Sequence, residues 1–327
     1  MGFSGRLENC EDQKKKLNLQ VLYTNADGLL NKKCELNLLI NCLDVKPDII
    51  AVTEIKPKNV THQLLASEFH LDGYNVFCQG LEDNSKRGLL FYIASGIEVS
   101  VIDMPETFHE CIFLLLKTFN QGGVNKFLLG NIYRSPSSSL TNDKNLYDLL
   151  YHIEQNFSVP KLIVGDFNFS NIDWYPVSGI GASAKCVALS DNEMAFVNSL
   201  RENLLFQHVV YPTRQRGTDT PHILDLVITS DNFVSEIEHL SPLGMSDHCV
   251  LKFGCYLYAE HCRIQQKFRL DKGDYDNLCE FLNLDWDVLL DYAHSSVDEM
   301  WEKFKLLLMD GINKFIPVTG QHLQNLK

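Results

Sequence analysis

The apolar and polar positions of this chain alternate between two periods, and the switches mark its elements. Leu17 to Tyr23 alternates apolar and polar as a half-buried strand does. Asn31 to Leu43 then carries Leu36, Leu39, Ile40 and Leu43 at helical spacing, with Asn31 placed to cap the N-terminus. Asp48 to Thr53 is a β-rich run after Pro47. Further strands are predicted over Tyr74–Cys78, Leu89–Ile93, Ile97–Val101, Cys111–Phe119 and Lys126–Tyr133, separated by turn clusters such as Gln121-Gly122-Gly123. A helix over about Asp143–Asn156 precedes the apolar run Leu162-Ile163-Val164. Another helix spans roughly Ser190–Glu202, with Ser190 and Glu193 spaced as a capping box. Strands resume at Phe206–Tyr211, Leu224–Thr229 and His248–Tyr258. Runs of strands with interspersed helices predict an α+β layered sandwich of two sheets.

The character changes after Glu260. Ser296 to Phe315 reads as an amphipathic helix: Val297, Trp301, Phe304, Leu308 and Phe315 form a stripe, Asp298 and Glu299 suit the first turn, and Pro317 stops it. A shorter helix near Tyr275–Leu282 precedes it. Residues 1–16 are polar and end in Lys14-Lys15-Lys16, the composition of a disordered basic tail. The expected organisation is therefore a tail over 1–16, a folded domain over 17–258 and a helical extension over 259–327.

Composition narrows the class. No apolar run approaches the ~20 residues that span a bilayer; the longest, Cys111 to Leu116, suits a buried strand. Met1 to Lys16 holds no hydrophobic stretch, so no secretory signal is expected there. Ten cysteines lie scattered without a C-x-x-C pair, which argues against zinc ribbons and for reduced thiols. An intracellular protein of nucleus or cytoplasm, with no membrane partner, is the expectation. The net charge of −13 argues against a grip on nucleic acid by bulk electrostatics, without excluding DNA binding. Local groups such as Lys86-Arg87, Arg134, and Arg214 with Arg216 remain to line a groove, or to sit as solvated loop charges.

Six short pieces fall at predicted strand ends: Asn25-Ala26-Asp27, Glu54, Tyr133-Arg134, Asp166-Phe167-Asn168, Asp225 and Ser246-Asp247-His248. In Gly165-Asp166-Phe167-Asn168 a carboxylate and a carboxamide occupy alternate positions just past a buried strand, so both point the same way. Carboxylates, amides and an imidazole converging at strand ends are what metal-assisted attack on a phosphate ester requires. Singly each has a plainer reading, Asn25 in a turn, Glu54 capping a strand, Asp225 in an ion pair.

The order of these pieces resembles the endonuclease/exonuclease/phosphatase superfamily, over about Leu17 to Tyr258. Within it the chain looks most like the apurinic-type endonuclease of non-LTR (LINE) retrotransposons. The residues that carry this are Asn25-Ala26-Asp27-Gly28-Leu29, Pro47 to Glu54, Asn131-Ile132-Tyr133-Arg134-Ser135-Pro136, Gly165 to Asn168 followed by Ile172-Asp173-Trp174, Tyr211-Pro212-Thr213-Arg214, and Leu224 to Thr229. Thr24 and Thr53 depart from the pattern, standing where relatives often have Trp and Gln. Tyr133 replaces the His favoured by superfamily phosphatases and sphingomyelinases.

The resemblance implies a four-layer α/β/β/α sandwich of two packed mixed sheets followed by a C-terminal helical segment. It implies a Mg²⁺-dependent endonuclease, Mn²⁺ being the alternative ion, that cuts double-stranded DNA to a 3′-hydroxyl and a 5′-phosphate. Glu54, Asp27 and Asp247 would hold the cation, hard oxygen donors for a hard ion. Asp166 would be general base with Asn168 orienting the water, and His248 a donor held as imidazolium by Asp225. Asn25, Tyr133, Thr213, Arg134 and Arg214 would meet the phosphates, and Ser246 would support His248. In a retroelement the new 3′ end primes reverse transcription. The stretch from about Arg269 to Pro317 looks similar to the linker toward reverse transcriptase, and no polymerase segment follows before Lys327, as in a truncated or host-retained copy. The alternatives are a phosphoesterase on a lipid or nucleotide phosphate and a retained binding module without catalysis. The stripe of the last helix is a candidate surface for a protein partner.

Overall fold

The computed structural model describes residues 16–60, 62–82, 86–120, 123–177, 181–186, 189–258, 268–269, 272–290 and 296–317. By its internal contacts the chain divides into two compact units, the first ending at His261 and the second beginning at Cys262. The expected tail over 1–16 lies outside the described residues apart from Lys16, which opens the first strand.

Strand β1 (Lys16–Asn25) runs into a short 3-10 turn and helix α1 (Lys33–Cys42), which returns the chain to β2 (Ile49–Thr53) parallel to β1. A second such unit joins β7 (Gly123–Tyr133) through α2 (Leu140–Asn156) to the parallel strand β8 (Lys161–Asp166). Parallel neighbours need such crossovers, whereas the remaining strands pair antiparallel. The strands β3 (Tyr74–Gln79), β4 (Leu89–Ala94), β13 (Glu238–Leu240) and β14 (Val250–Tyr258) complete the first sheet, in the order β13-β14-β1-β2-β4-β3. The second sheet adds β5 (Glu98–Ile102), β6 (Cys111–Asn120), β9 (Trp174–Val177), β10 (Gly181–Ala184), β11 (Phe206–Gln207) and β12 (Asp225–Thr229), in the order β5-β6-β7-β8-β12-β11-β10-β9.

The alternation read from the sequence decides which layer each side chain enters. Leu19, Val21 and Tyr23 of β1, Leu129 of β7, and Leu162 and Val164 of β8 point into a core between the sheets. Their neighbours point outward: Leu22 meets Leu36 and Ile40 of α1, while Ile163 meets Leu149 and Leu150 of α2 and Phe196 of α3 (Asp191–Glu202). Helix, sheet, sheet, helix is the expected four-layer sandwich. Inside the central layer Asn131 of β7 crosses the sheets, its Nδ2 donating to the carbonyls of Val52 (3.0 Å) and Leu90 (3.3 Å).

Ser190 and Glu193 form the expected capping box on α3. Three local expectations are corrected. Asn31 does not cap α1: it lies within the 3-10 turn Leu30–Lys32, and the capping position is Lys32, with no side-chain bond. Helix α2 begins three residues before Asp143, because the Ser139 hydroxyl accepts from the Asn142 amide. The strand expected over Phe206–Tyr211 ends at Gln207, whose side chain bonds both backbone groups of Val209 and turns the chain. The β9–β10 hairpin was not expected; Pro176 sits in its terminal strand, where no further neighbour needs an N–H.

The second unit contains α4 (Tyr275–Leu282), α5 (Trp286–Leu290) and α6 (Val297–Phe315), the last with the capping box Ser296–Glu299. Phe315 packs on Phe281 (5.7 Å) and Phe304 on Trp286 (5.6 Å), while Gly311 lets Leu278 and Phe281 close on the helix. The predicted stripe is split by this packing. Phe304, Leu308 and Phe315 are half-buried, whereas Val297 and Trp301 are exposed.

Candidate active site

The ends of five strands place the candidate residues on one edge of the sandwich. Asp166 closes β8 and pairs in register with Asp225 at the start of β12 and with Tyr133 at the end of β7. Asn25 closes β1 in register with Thr53, just before Glu54. Ser246-Asp247-His248 is the loop that enters β14. Gly165 is required beside Asp166: a Cβ there would stand 2.0 Å from the Ile132 carbonyl oxygen. Three of these residues hold backbone conformations rare for side-chain-bearing residues, with φ of 42° at Asp27, 51° at Glu54 and 52° at Asn168. Such positions are maintained only where surrounding contacts over-determine them.

Asp225 links the two sheets. Its Oδ2 accepts from His248 Nδ1 (2.7 Å) and its Oδ1 from the Tyr23 hydroxyl (2.8 Å), which also meets Thr53 Oγ1 (3.1 Å). Burial by itself would lower the pKa of His248, but the carboxylates of Asp225, Asp166 and Asp247 raise it to about 9. The imidazole is therefore a cation at neutral pH. Asp166 accepts from Asn25 Nδ2 at Oδ2 (2.9 Å) and from the Asn168 amide at Oδ1 (3.2 Å). Its complete burial and the charge of Asp225 raise its pKa to about 8, against the opposing pull of His248. Burial and the Asp225 charge thus make its ionised form a stronger proton acceptor than an exposed carboxylate. Asp166, Asp225 and His248 present ligand atoms within 4.8 Å of one another, but two of the three are already bonded together.

A second cluster lies beside the first. Arg87 Nη2 donates to Asp27 Oδ1 (2.6 Å) and forms an ion pair with Glu54 Oε2 (2.7 Å), so these carboxylates converge on one positively charged point. Tyr133 donates to Glu54, and burial with the Glu54 and Asp166 charges holds its hydroxyl well above the usual pKa. Burial would raise the Asp27 carboxyl, but Arg87 and Lys58 bring it below its ordinary value. Two hard oxygen donors aimed at one cationic centre fit a divalent ion such as Mg²⁺ or Mn²⁺. Asp247, the third carboxylate expected there, is instead held by Arg214 through Nε (3.0 Å) and Nη2 (2.9 Å), with its Oδ1 3.8 Å from His248 Nε2.

Ser246 donates to the Asn25 carbonyl (2.7 Å) and accepts from the His248 amide (3.2 Å), tying the His248 loop to β1. Two residues expected to meet phosphate are turned inward. Arg134 is buried, its guanidinium paired with Asp143 (2.6 and 2.9 Å), donating to the Phe167 and Asn168 carbonyls and lying over the Phe169 ring. Four of its five N–H donors are used inside the fold, so the group serves packing and not a DNA-facing surface. Thr213 is buried, and its Oγ1 accepts from the amides of Leu224 and Asp225, so it sets the start of β12. Asn168 donates its amide nitrogen to the Arg134 carbonyl (2.8 Å), which fixes the carboxamide plane.

Sequence reasoning missed Tyr23, Arg87 and Asp143 as members of the site. Tyr23 is one inward position of an alternating strand and looks like any core aromatic. Arg87 offered a signal only as half of a basic pair. Asp143 sits inside a helical pattern with nothing to mark its buried partner.

A four-layer sandwich with a buried aspartate at Asp166, a buried His–Asp pair and convergent carboxylates at one edge defines the endonuclease/exonuclease/phosphatase fold. Residues 127–252, which hold Tyr133, Asp166, Asn168, Asp225, Asp247 and His248, match the family described as Endonuclease-reverse transcriptase. Among solved structures the chain is similar to the endonuclease domain of TRAS1, a telomere-specific non-LTR retrotransposon, with 14% identity and a TM-score of 0.52 over 73% of this chain and 98% of that one. It is similar also to the AP endonuclease LMAP from Leishmania major, with 15% identity and a TM-score of 0.53 over 73% of this chain and 88% of that one. A third is an endonuclease/exonuclease/phosphatase family protein from Bacteroides thetaiotaomicron, 15% identical, with a TM-score of 0.51 over 74% and 99% of the two chains. No curated protein matches the sequence. The chain thus has the endonuclease/exonuclease/phosphatase fold, and its residues 127–252 match the Endonuclease-reverse transcriptase family model. No described helix is long and apolar enough to cross a membrane.

Proposed function

We propose that the protein is a Mg²⁺-dependent endonuclease that hydrolyses one strand of double-stranded DNA, as in retrotransposon target-site nicking. The observation that carries this reading is the buried convergence of Asp166, Asp225 and His248 at one sheet edge. The match to endonuclease-reverse transcriptases and the likeness to a retrotransposon endonuclease domain support DNA as the substrate.

In this reading Asp166 takes a proton from water, oriented by Asn25 and by the turn that Asn168 fixes. The water oxygen forms its bond to phosphorus as the bond to the 3′ oxygen breaks. Solvent water then gives that oxygen a proton, leaving a 3′-hydroxyl and a 5′-phosphate. His248, held by Asp225 and made cationic by its surroundings, donates to a non-bridging oxygen as charge builds there. Tyr23 and Thr53 keep Asp225 in place from the opposite sheet. Glu54 and Asp27 would hold the divalent ion, which would supply positive charge to polarise the phosphate and offset charge on the leaving oxygen. Asp247 and Arg214, locked together beside His248, form the neighbouring wall where the adjoining backbone would pass.

The test is nicking of supercoiled plasmid with Mg²⁺, with and without chelator, beside a panel of nucleotide and inositol phosphates. Metal-dependent conversion to open circles, lost in Asp166→Asn, supports the assignment. Hydrolysis confined to the small phosphates overturns DNA as substrate, and metal-independent nicking overturns the mechanism.

A further inference from the structure

Arg87 is anchored at its stem and engaged at its tip. The Lys56 amide donates to the Arg87 carbonyl (2.9 Å), and Arg87 Nε donates back to the Lys56 carbonyl (3.1 Å). This tie fixes the backbone and the near side of the guanidinium, leaving Nη2 to reach Asp27 and Glu54 together. The two carboxylates come from the ends of different strands, and each has its backbone in the left-handed region. Two carboxylates aimed at one point repel, and a positive charge between them removes that cost. The side chain of Arg87 is 17% exposed, so it is not sealed from solvent. Lys58 also approaches Asp27, at 3.4 Å, but with 65% exposure it is screened by solvent and does not touch Glu54.

We propose that Arg87 is an exchangeable counter-ion of this site. Its guanidinium neutralises Asp27 and Glu54 until a divalent cation takes the same point, and its Nη2 end then swings into the cleft to meet a substrate phosphate. A cation and a guanidinium cannot share one pair of carboxylate oxygens, because their like charges repel at close range in a partly desolvated site. The backbone bond from Lys56 to the Arg87 carbonyl holds the main chain in place, so the exchange is a rotation of the side chain that also releases the Nε bond to Lys56. Cation entry would thereby be coupled to the appearance of an anion-binding group. The inference rests on reading Asp27 and Glu54 as cation ligands.

The test is calorimetric titration of Mg²⁺, and separately Mn²⁺, into folded wild type, Arg87→Gln, Lys58→Gln and Glu54→Gln. Removing the competing charge should tighten cation binding by at least about tenfold in Arg87→Gln, while Lys58→Gln stays within about twofold of wild type. Glu54→Gln should bind poorly. Arg87→Gln should also bind a duplex DNA more weakly in the presence of the cation, the opposite sign to its metal affinity. Unchanged or weaker cation binding in Arg87→Gln, with Glu54→Gln still defective, overturns the exchange and leaves the cation site standing. Equal tightening in Lys58→Gln overturns it too, since the effect would then be bulk charge. Equal binding in wild type and Glu54→Gln overturns both readings. If the glutamine variant does not fold, Arg87→Met, which keeps the apolar stem, is read by the same criteria.

Discussion

Asn25 Nδ2 donates to Asp166 Oδ2 across the sandwich, over 2.9 Å, joining the end of β1 in one sheet to the end of β8 in the other. The proposed base is thus held by a residue of the opposite sheet, and its geometry depends on how the two sheets pack. Asn25→Ala leaves a buried carboxylate oxygen short of a partner, a loss of roughly 1–3 kcal/mol of interaction. Plasmid nicking should fall about tenfold to a hundredfold, with the circular dichroism spectrum unchanged. Asn25→Asp should be worse, because it sets a second carboxylate against Asp166. Wild-type nicking by either variant would remove Asn25 from the site.

Asp166→Ala and His248→Ala should each lower nicking by at least ~100-fold, the usual contribution of a positioned acid or base. The double variant should be little worse than either single one if the two act in one step. Single-turnover assays at saturating Mg²⁺ separate this from altered cation binding.

The charge of His248 gives a pH dependence of definite sign. Its pKa in the folded protein is raised from 6.5 to about 9, the neighbouring carboxylates overcoming burial. The stabilisation from its ion pair with Asp225 is fully present below 6.5 and lost as pH rises through about 9. Urea unfolding midpoints should therefore drop between these values in wild type and drop less in His248→Gln. Nicking should decline above pH 9 for the same reason, and a flat alkaline limb would contradict the assigned role.

Arg134 and Asp143 form a buried two-point ion pair under the Asp166 turn. Asp143→Ala strands the guanidinium and should cost about 3–5 kcal/mol of stability, measured by chemical unfolding. Arg134→Lys keeps the charge but loses the fork and should also destabilise. A change in DNA affinity without a change in stability would restore Arg134 to the surface role that the sequence suggested.

Gly165→Ala tests the steric reading of the glycine before Asp166. With its Cβ 2.0 Å from the Ile132 oxygen, the variant must move β8 against β7. Overpacking of this kind costs about 1–3 kcal/mol or more, and nicking should fall by more than stability alone explains, because Asp166 moves with the strand.

The local order of the chain carried much of this protein. Alternation in Leu17–Tyr23 and the run Leu162-Ile163-Val164 fixed which side chains enter the central core, since strand geometry sends neighbours to opposite faces. Polar residues just past those strands marked one edge of the sandwich, and Asp166, Asp225, Ser246 and His248 do meet there. What only the tertiary structure decided is which partner each charge takes. Arg134 and Thr213 lie among site residues in sequence, yet one is consumed by Asp143 and the other by the backbone of β12. Arg87 and Tyr23 lie among ordinary basic and core positions, yet one bridges Asp27 and Glu54 and the other holds Asp225. Hydrophobic burial follows a period that can be read along the chain. A hydrogen bond or ion pair depends on a few ångströms between residues far apart in sequence, and those distances exist only once the sheets have packed.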